Sequence, residues 1–109
     1  MEDFGELMVT IVPDGREAVE QVSQADWDLI LMDCYMPDMD GFEATRTIRS
    51  MPNGRGQLPI IALTASATSE DVRDIERAGM DALVPKPIDP ELLRATMRRQ
   101  LRRALRRSA

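Results

Sequence analysis

The chain has 109 residues, of which 43% are apolar and 4% aromatic, and its formal net charge is −5. This length provides one hydrophobic core and therefore a single domain. Because the sequence contains no histidine, it excludes a histidine-based catalytic triad, a histidine-ligated zinc site and a phosphohistidine of its own.

The sequence also carries signals about location. No apolar run approaches the roughly 18 residues of a membrane helix, and no signal peptide is visible. The single cysteine, Cys34, cannot form an internal disulfide and suits a reducing compartment. We therefore expect a cytoplasmic protein that makes no membrane contact.

Charge is distributed unevenly along the chain. Residues 91–109 contain seven arginines and one acid, a charge of +6, which leaves −11 for residues 1–90. An acidic body suits a cation site and argues against a nucleic-acid surface on this part of the chain. The basic C-terminal stretch has apolar residues at helical spacing, which favours packing and association over binding of nucleic acid.

In chain order, apolar runs without helical spacing predict four strands, at residues 7–12, 28–33, 58–65 and 81–87. Apolar residues at helical spacing predict a helix after each strand. This alternation predicts an α/β domain with a parallel sheet.

Local signals mark several ends of these elements. Thr68 and Asp71 resemble a capping box at the start of a helix that stops at Gly79, and Asp89-Pro90 begins the last helix. Residues 53–57, with two glycines, are expected to form a mobile loop.

Three of the predicted strands end on polar side chains: Asp33, Thr64 and Lys86, which is the only lysine. The carboxyl ends of parallel strands share one edge of a sheet, where ligands bind. We therefore expect a carboxylate, a hydroxyl and an ammonium to lie close together. A carboxylate that accepts a phosphoryl group needs cationic and hydrogen-bonding partners of this kind. The alternatives are that Asp33 only caps the next turn and that Lys86 is an ordinary surface lysine.

Three stretches together resemble a known family: MDCYMPDMDGFEATRTIR, LPIIALTA and AGMDALVPKPI. They resemble the receiver domain of two-component response regulators, in particular the receivers of hybrid histidine kinases. The resemblance implies a flavodoxin-like parallel sheet with helices on both faces. It assigns residues 1–93 to a receiver-like domain and residues 94–109 to a basic extension of the last helix.

The resemblance also implies roles for individual residues. Asp33 would accept a phosphoryl group from a phosphohistidine, Thr64 would contact the phosphoryl oxygens and Lys86 would pair with them. Asp33 and the backbone carbonyl of Tyr35 would be ligands of Mg²⁺. The partner would be a histidine kinase or a histidine phosphotransfer domain, and the chain itself would be a signalling domain rather than an enzyme.

The sequence departs from the family pattern in two respects. Receivers have five strands in the order 2-1-3-4-5, whereas this chain supplies four and lacks the first strand with its pair of acidic Mg²⁺ ligands. We therefore expect Mg²⁺ to bind weakly or not at all, with Asp33 and the Tyr35 carbonyl as the remaining protein ligands. In addition, Leu83 occupies the position three residues before the lysine, where family members usually carry an aromatic residue.

The absent strand would leave the first two strands roughly 9 to 10 Å apart, two inter-strand spacings. Three solutions are open: the two strands pair directly, a strand from a second copy enters the slot, or the outer edges pair between chains. The expectation is a homo-oligomer or a strand-swapped assembly.

Three functions follow from these observations. The first is a phosphoacceptor receiver of a phosphorelay. The second is a truncated or pseudo-receiver that binds Mg²⁺ poorly and acts as an association module. The third, which the acidic body disfavours, is nucleic-acid binding through the arginine-rich tail.

Overall fold

The computed structural model describes residues 7–33, 39–52 and 54–108. Within them, strands and α-helices alternate along the chain, joined by one short 3-10 helix at Arg55–Gln57. The strands are β1 (Val9–Val12), β2 (Leu29–Asp33), β3 (Ile60–Thr64) and β4 (Ala82–Pro85). The helices are α1 (Gly15–Gln24), α2 (Met39–Arg49), α3 (Ser69–Ala78) and α4 (Pro90–Ser108).

The four strands form one parallel sheet in the order β1-β2-β3-β4. The two central strands are buried along almost their whole length, which explains why β2 and β3 are continuous apolar runs rather than alternating ones. The predicted α/β class with a flavodoxin-like, receiver-type sheet is confirmed.

The structure corrects the expectation of a vacant slot between the first two strands. β1 pairs directly with β2, from Val9 opposite Leu29 to Val12 opposite Met32. Asp28 fixes this register, because its carboxylate accepts from the Met8 N–H at 2.8 Å and its own N–H donates to the Met8 carbonyl at 2.7 Å. Direct pairing was the first of the three solutions, and it removes the reason for expecting a swapped strand, since the backbone groups of β2 find partners within the chain.

Helices cover both faces of the sheet, but unequally. Helices α1, α2 and α3 pack on one face, where they contribute Ala18, Val22, Ile48, Ile75 and Ala78 to the core. The long α4 lies on the other face, against a cluster that includes Leu29, Leu31, Ile61, Leu63, Val84 and Met97. Among the helices of the described residues, none combines the length and apolar character needed to cross a membrane.

The local signals predicted for α3 and α4 are present in the structure. Thr68 and Asp71 form a reciprocal capping box, and α3 ends at Gly79, whose φ of 102° lies in the left-handed region that favours glycine. At α4, the Asp89 carboxylate accepts from the Glu91 N–H at 3.0 Å. Short-range capping therefore sets the ends of these helices.

The segment expected to be a mobile loop is instead partly ordered, because Arg55–Gln57 form the 3-10 turn. Gly56 lies so close to the end of α2 that a Cβ atom there would be 2.6 Å from the Arg49 carbonyl oxygen. Glycine at this position therefore permits close packing. Asn53 lies outside the described residues.

Candidate functional site

The three polar strand ends predicted to meet lie on one edge of the sheet. Asp33 is the last residue of β2, Thr64 is the last residue of β3, and Lys86 directly follows β4. The strand register aligns them, since Asp33 lies opposite Leu63 and Thr64 lies opposite Pro85. Parallel pairing thus brings together residues that are 31 and 22 positions apart in the sequence.

Asp33 and Lys86 are in direct contact. The Lys86 ammonium forms an ion pair with Oδ1 of Asp33, and the two side chains are 30% and 43% exposed, respectively. Oδ1 itself is buried, and its contact with the ammonium is an ion pair rather than a regular hydrogen bond. The exposed part of the Asp33 side chain therefore consists of atoms other than Oδ1, and one carboxylate oxygen is buried.

Thr64 occupies the neighbouring strand end and is fully buried. Its carbonyl accepts from the Lys86 N–H at 2.8 Å, and its hydroxyl oxygen accepts from the Ser66 N–H at 3.1 Å. The backbone of Lys86 is thereby anchored to the strand that carries Thr64. The Lys86–Pro87 peptide bond is cis.

A further pair of residues near Thr64 was not identified from the sequence as part of the site. Ser66 donates its hydroxyl hydrogen to Oδ2 of Asp71, in the first turn of α3. This bond and those with Thr68 lower the pKa of Asp71 below its ordinary value. The capping-box spacing identified Asp71 as a helix cap, but nothing in a single sequence shows that Ser66 shares the same carboxylate.

The described residues contain no ready-made cluster of metal-binding side chains. No group of three or more acidic, cysteine or histidine side chains within them is arranged to hold a metal ion. Tyr35, whose carbonyl was predicted to be a ligand, lies outside the described residues. The cation that contacts Asp33 in this structure is the Lys86 ammonium.

Leu83, the residue that departs from the family pattern, lies in β4 and is partly buried against the cluster beneath α1, α2 and α3. The position is therefore filled by an apolar side chain that packs on the core.

Comparison with known proteins agrees with this architecture. The family model described as response regulator receiver domain matches residues 2–98. The sensor protein GacS of Pseudomonas syringae pv. syringae is 44% identical over 95 residues, which is 85% of this chain and 10% of that protein. Histidine kinase 1 of Arabidopsis thaliana is 49% identical over 76 residues, which is 69% of this chain and 6% of that protein.

A shorter relative is an uncharacterized 14.6 kDa protein of Leptolyngbya boryana, which is 41% identical over 86% of this chain and 71% of its own length. The chain thus spans a small part of the kinases that it matches and most of this smaller protein.

Solved structures show the same fold. The receiver domain of a sensor histidine kinase from Pseudomonas aeruginosa PAO1 has a TM-score of 0.69 and 42% identity, with 84% of this chain and 75% of that chain covered. That receiver holds a magnesium ion in its active-site cleft. The chemotaxis protein CheY4 of Vibrio cholerae has a TM-score of 0.65 and 32% identity, over 78% of this chain and 70% of that one.

The family match covers most of the chain, and the relatives and the solved structures agree with it. The chain therefore belongs to the response regulator receiver family, as a receiver domain of the kind found in hybrid histidine kinases, which serve phosphorelay signalling.

Proposed function

We propose that this receiver accepts a phosphoryl group on Asp33 and that the donor is a phosphohistidine. In this reaction, a carboxylate oxygen of Asp33 forms a bond to phosphorus while the P–N bond breaks. The imidazole nitrogen of the donor keeps the electron pair and takes a proton from solvent. Because Oδ1 is covered by Lys86, Oδ2 is the nucleophile that we propose.

The single observation that carries this proposal is the contact between Lys86 and Asp33. Charge develops on the phosphoryl oxygens during transfer, and a fixed cation beside the acceptor stabilises it. Lys86 is held for this role by its backbone bond to Thr64. The Thr64 hydroxyl, at the neighbouring strand end, is the proposed hydrogen-bonding group for a phosphoryl oxygen.

The proposed partner is a histidine kinase or a histidine phosphotransfer domain. The relatives named above include histidine kinases, and this chain has no histidine with which to start a phosphorelay. The comparisons offer no support for the alternative of a pseudo-receiver that works by association alone.

We further propose that Mg²⁺ binds this chain weakly. Mg²⁺ prefers an octahedral shell of oxygen atoms, and among the described residues no group of three or more acidic, cysteine or histidine side chains is arranged to supply one. Weak binding would make phosphoryl transfer slow in the isolated chain. A calorimetric titration with Mg²⁺ measures this affinity directly.

The test of phosphoryl transfer uses the full chain with two small donors, an acyl phosphate and phosphoramidate, whose P–N bond imitates that of phosphohistidine. Intact-protein mass spectrometry should show the gain of one phosphoryl group, stable in acid and labile in base. Asp33→Asn should abolish this gain. Lys86→Gln should slow it by about 10²-fold, because it removes the cation that stabilises the developing charge.

Asp26→Asn is the matched control. Asp26 is another exposed carboxylate, 87% accessible, but it lies before β2 and pairs with Arg55 at 3.1 Å. This variant should take up phosphoryl groups as the unchanged chain does. A chain that gains no mass from either donor would overturn the proposal.

We also propose that copies of the chain associate through β1. β1 is one of the two outer strands of the described sheet, and Ile11 and Met8 at this edge are 61% and 47% exposed. An edge strand with exposed apolar side chains is a template for pairing with another chain.

The division between residues 1–93 and 94–109 remains a prediction. Helix α4 runs through this boundary from Pro90 to Ser108, and both Met97 and Leu101 pack on the sheet. We propose that the basic extension begins as part of the domain surface and only its end extends beyond the core.

A further inference from the structure

A chain of three hydrogen-bonded residues leads from the proposed site to the start of α3. Its first member is Thr64, the fully buried last residue of β3. The Thr64 hydroxyl oxygen accepts from the Ser66 N–H at 3.1 Å. Threonine is restricted at χ1 by its branched Cβ, so one hydrogen bond to its oxygen is enough to select a rotamer.

Ser66 is the second member, and its own position is fixed by a carboxylate. The Ser66 hydroxyl donates to Oδ2 of Asp71, and this same Oδ2 accepts from the Thr68 N–H at 3.2 Å. In return, the Asp71 N–H donates to the Thr68 hydroxyl oxygen at 3.1 Å. A single carboxylate therefore holds both the start of α3 and the residue that orients Thr64.

The strength of this arrangement depends on the charge of Asp71. Its hydrogen bonds with Ser66 and Thr68 lower its pKa, so it is ionised at neutral pH. Hydrogen bonds to an ionised acceptor are about twice as strong as those between neutral groups. The Ser66 hydroxyl is thus firmly held compared with an ordinary serine on a loop.

We infer that Asp71 is a positioning residue for phosphoryl transfer, which acts through Ser66 to hold the Thr64 hydroxyl in one orientation. Because its oxygen accepts from the Ser66 N–H, the Thr64 hydroxyl is held in one orientation at the strand end next to Asp33, where the proposed function would place a phosphoryl oxygen. This inference rests on the proposed function for its consequence, but the orientation of Thr64 is independent of it.

Two variants separate positioning from helix stability. Ser66→Ala keeps the backbone N–H that bonds to Thr64 but removes the hydroxyl through which Asp71 holds residue 66 in place, and it leaves the capping box of Thr68 and Asp71 intact. Asp71→Asn weakens both the bond to Ser66 and the capping box, because an amide oxygen is an uncharged acceptor. The orientation of Thr64 is read from the three-bond NMR couplings that report its χ1 angle, and phosphoryl uptake is read from the rate of mass gain with an acyl phosphate.

Both variants should average the Thr64 χ1 angle over rotamers and slow phosphoryl uptake by about threefold to tenfold, the range expected for loss of one hydrogen bond. The double variant should be no slower than the single ones, because both act on the same link. Only Asp71→Asn should also lower the unfolding temperature. Ser66→Thr, which keeps a hydroxyl, should restore the rate, and Asp74→Asn, one turn further along α3, should behave as the unchanged chain.

The rate of phosphoryl uptake and the χ1 angle of Thr64 test the proposed function and the inference separately. If the unchanged chain takes up no phosphoryl group, the proposed function is wrong, while the χ1 measurement still decides whether Asp71 orients Thr64. If Ser66→Ala and Asp71→Asn leave the χ1 angle of Thr64 fixed, the inference is overturned, whatever the rate of phosphoryl uptake.

Discussion

Single side chains at the ends of strands carry the chemistry that we propose. Asp33 and Lys86 come from β2 and the end of β4, strands separated in the sheet by β3, and they meet because a long flexible lysine reaches across the edge. Thr64, on the strand between them, is too short to reach far and is buried. The roles that we propose for these residues thus follow from side-chain length and from strand order.

A prediction at this scale concerns the titration of Asp71. Its pKa is lowered in the folded chain, first by the Ser66 hydroxyl and then by Thr68. A carboxylate whose folded-state pKa lies below its unfolded value stabilises the fold at pH above that ordinary value of 3.8, and the effect disappears as the pH falls through the folded-state pKa.

Thermal unfolding of the unchanged chain and of Asp71→Asn, from neutral pH into the acid range, checks this prediction. The unchanged chain should have the higher unfolding temperature at neutral pH. The difference should shrink below pH 3.8, because protonated aspartate and asparagine are similar acceptors. A difference that stays constant throughout the acid range would show that the charge of Asp71 is unimportant for the cap.

At the scale of secondary-structure elements, one arginine connects four segments. Arg49, at the end of α2, donates to the carbonyls of Gly79, at 2.9 Å, and of Gly56, at 3.0 Å. It also pairs with Asp81 at 2.7 Å, and Asp81 accepts from the Ile60 N–H at 2.8 Å. Arg49 thus ties the 3-10 turn, the end of α3 and the starts of β3 and β4 together.

We expect Arg49→Met to destabilise the fold by about 3 kcal/mol, because it leaves the largely buried Asp81 carboxylate without its cation and several carbonyls without donors. Urea unfolding followed by circular dichroism measures the change. Arg46→Met is the control: Arg46 lies one turn earlier on α2 and is exposed, so its replacement should cost less than about 0.5 kcal/mol. Equal losses from both variants would contradict the role of Arg49.

At the scale of the whole molecule, the sheet is covered unequally, by three helices on one face and by α4 on the other. Ile11, on β1 at the side of the sheet away from β4, is consequently the most exposed large apolar side chain of the four strands. This unequal cover is the physical basis for the proposed association through β1.

Light scattering over a range of concentrations tests this association. The unchanged chain should exceed its mass of 12.3 kDa as concentration rises. Ile11→Lys should remain at that mass, because a lysine on an edge strand opposes pairing. Leu92→Lys introduces the same charge at an exposed apolar residue of α4 and should associate as the unchanged chain does. A mass of 12.3 kDa at every concentration would refute association through β1.

The sequence alone determined much of the fold and the candidate site. The apolar runs ending at Asp33 and Thr64 predicted two buried strands, and the capping signals at Thr68, Gly79 and Asp89 predicted helix ends, because these features depend on neighbours a few residues away. The common edge of Asp33, Thr64 and Lys86 followed from the general rule for parallel strands.

Only the tertiary structure decided how the sheet closes and what supports the site. The sequence left direct pairing of β1 with β2 as one of three solutions, and it did not show the bonds of Arg49 to several segments or the sharing of the Asp71 carboxylate by Ser66 and Thr68. The strand pairing and the bonds of Arg49 depend on contacts between residues that are distant along the chain. The shared use of the Asp71 carboxylate depends on the orientations of the Ser66 and Thr68 side chains. Residue spacing and composition do not encode long-range contacts or side-chain orientations, because packing and hydrogen bonding in the folded chain select them.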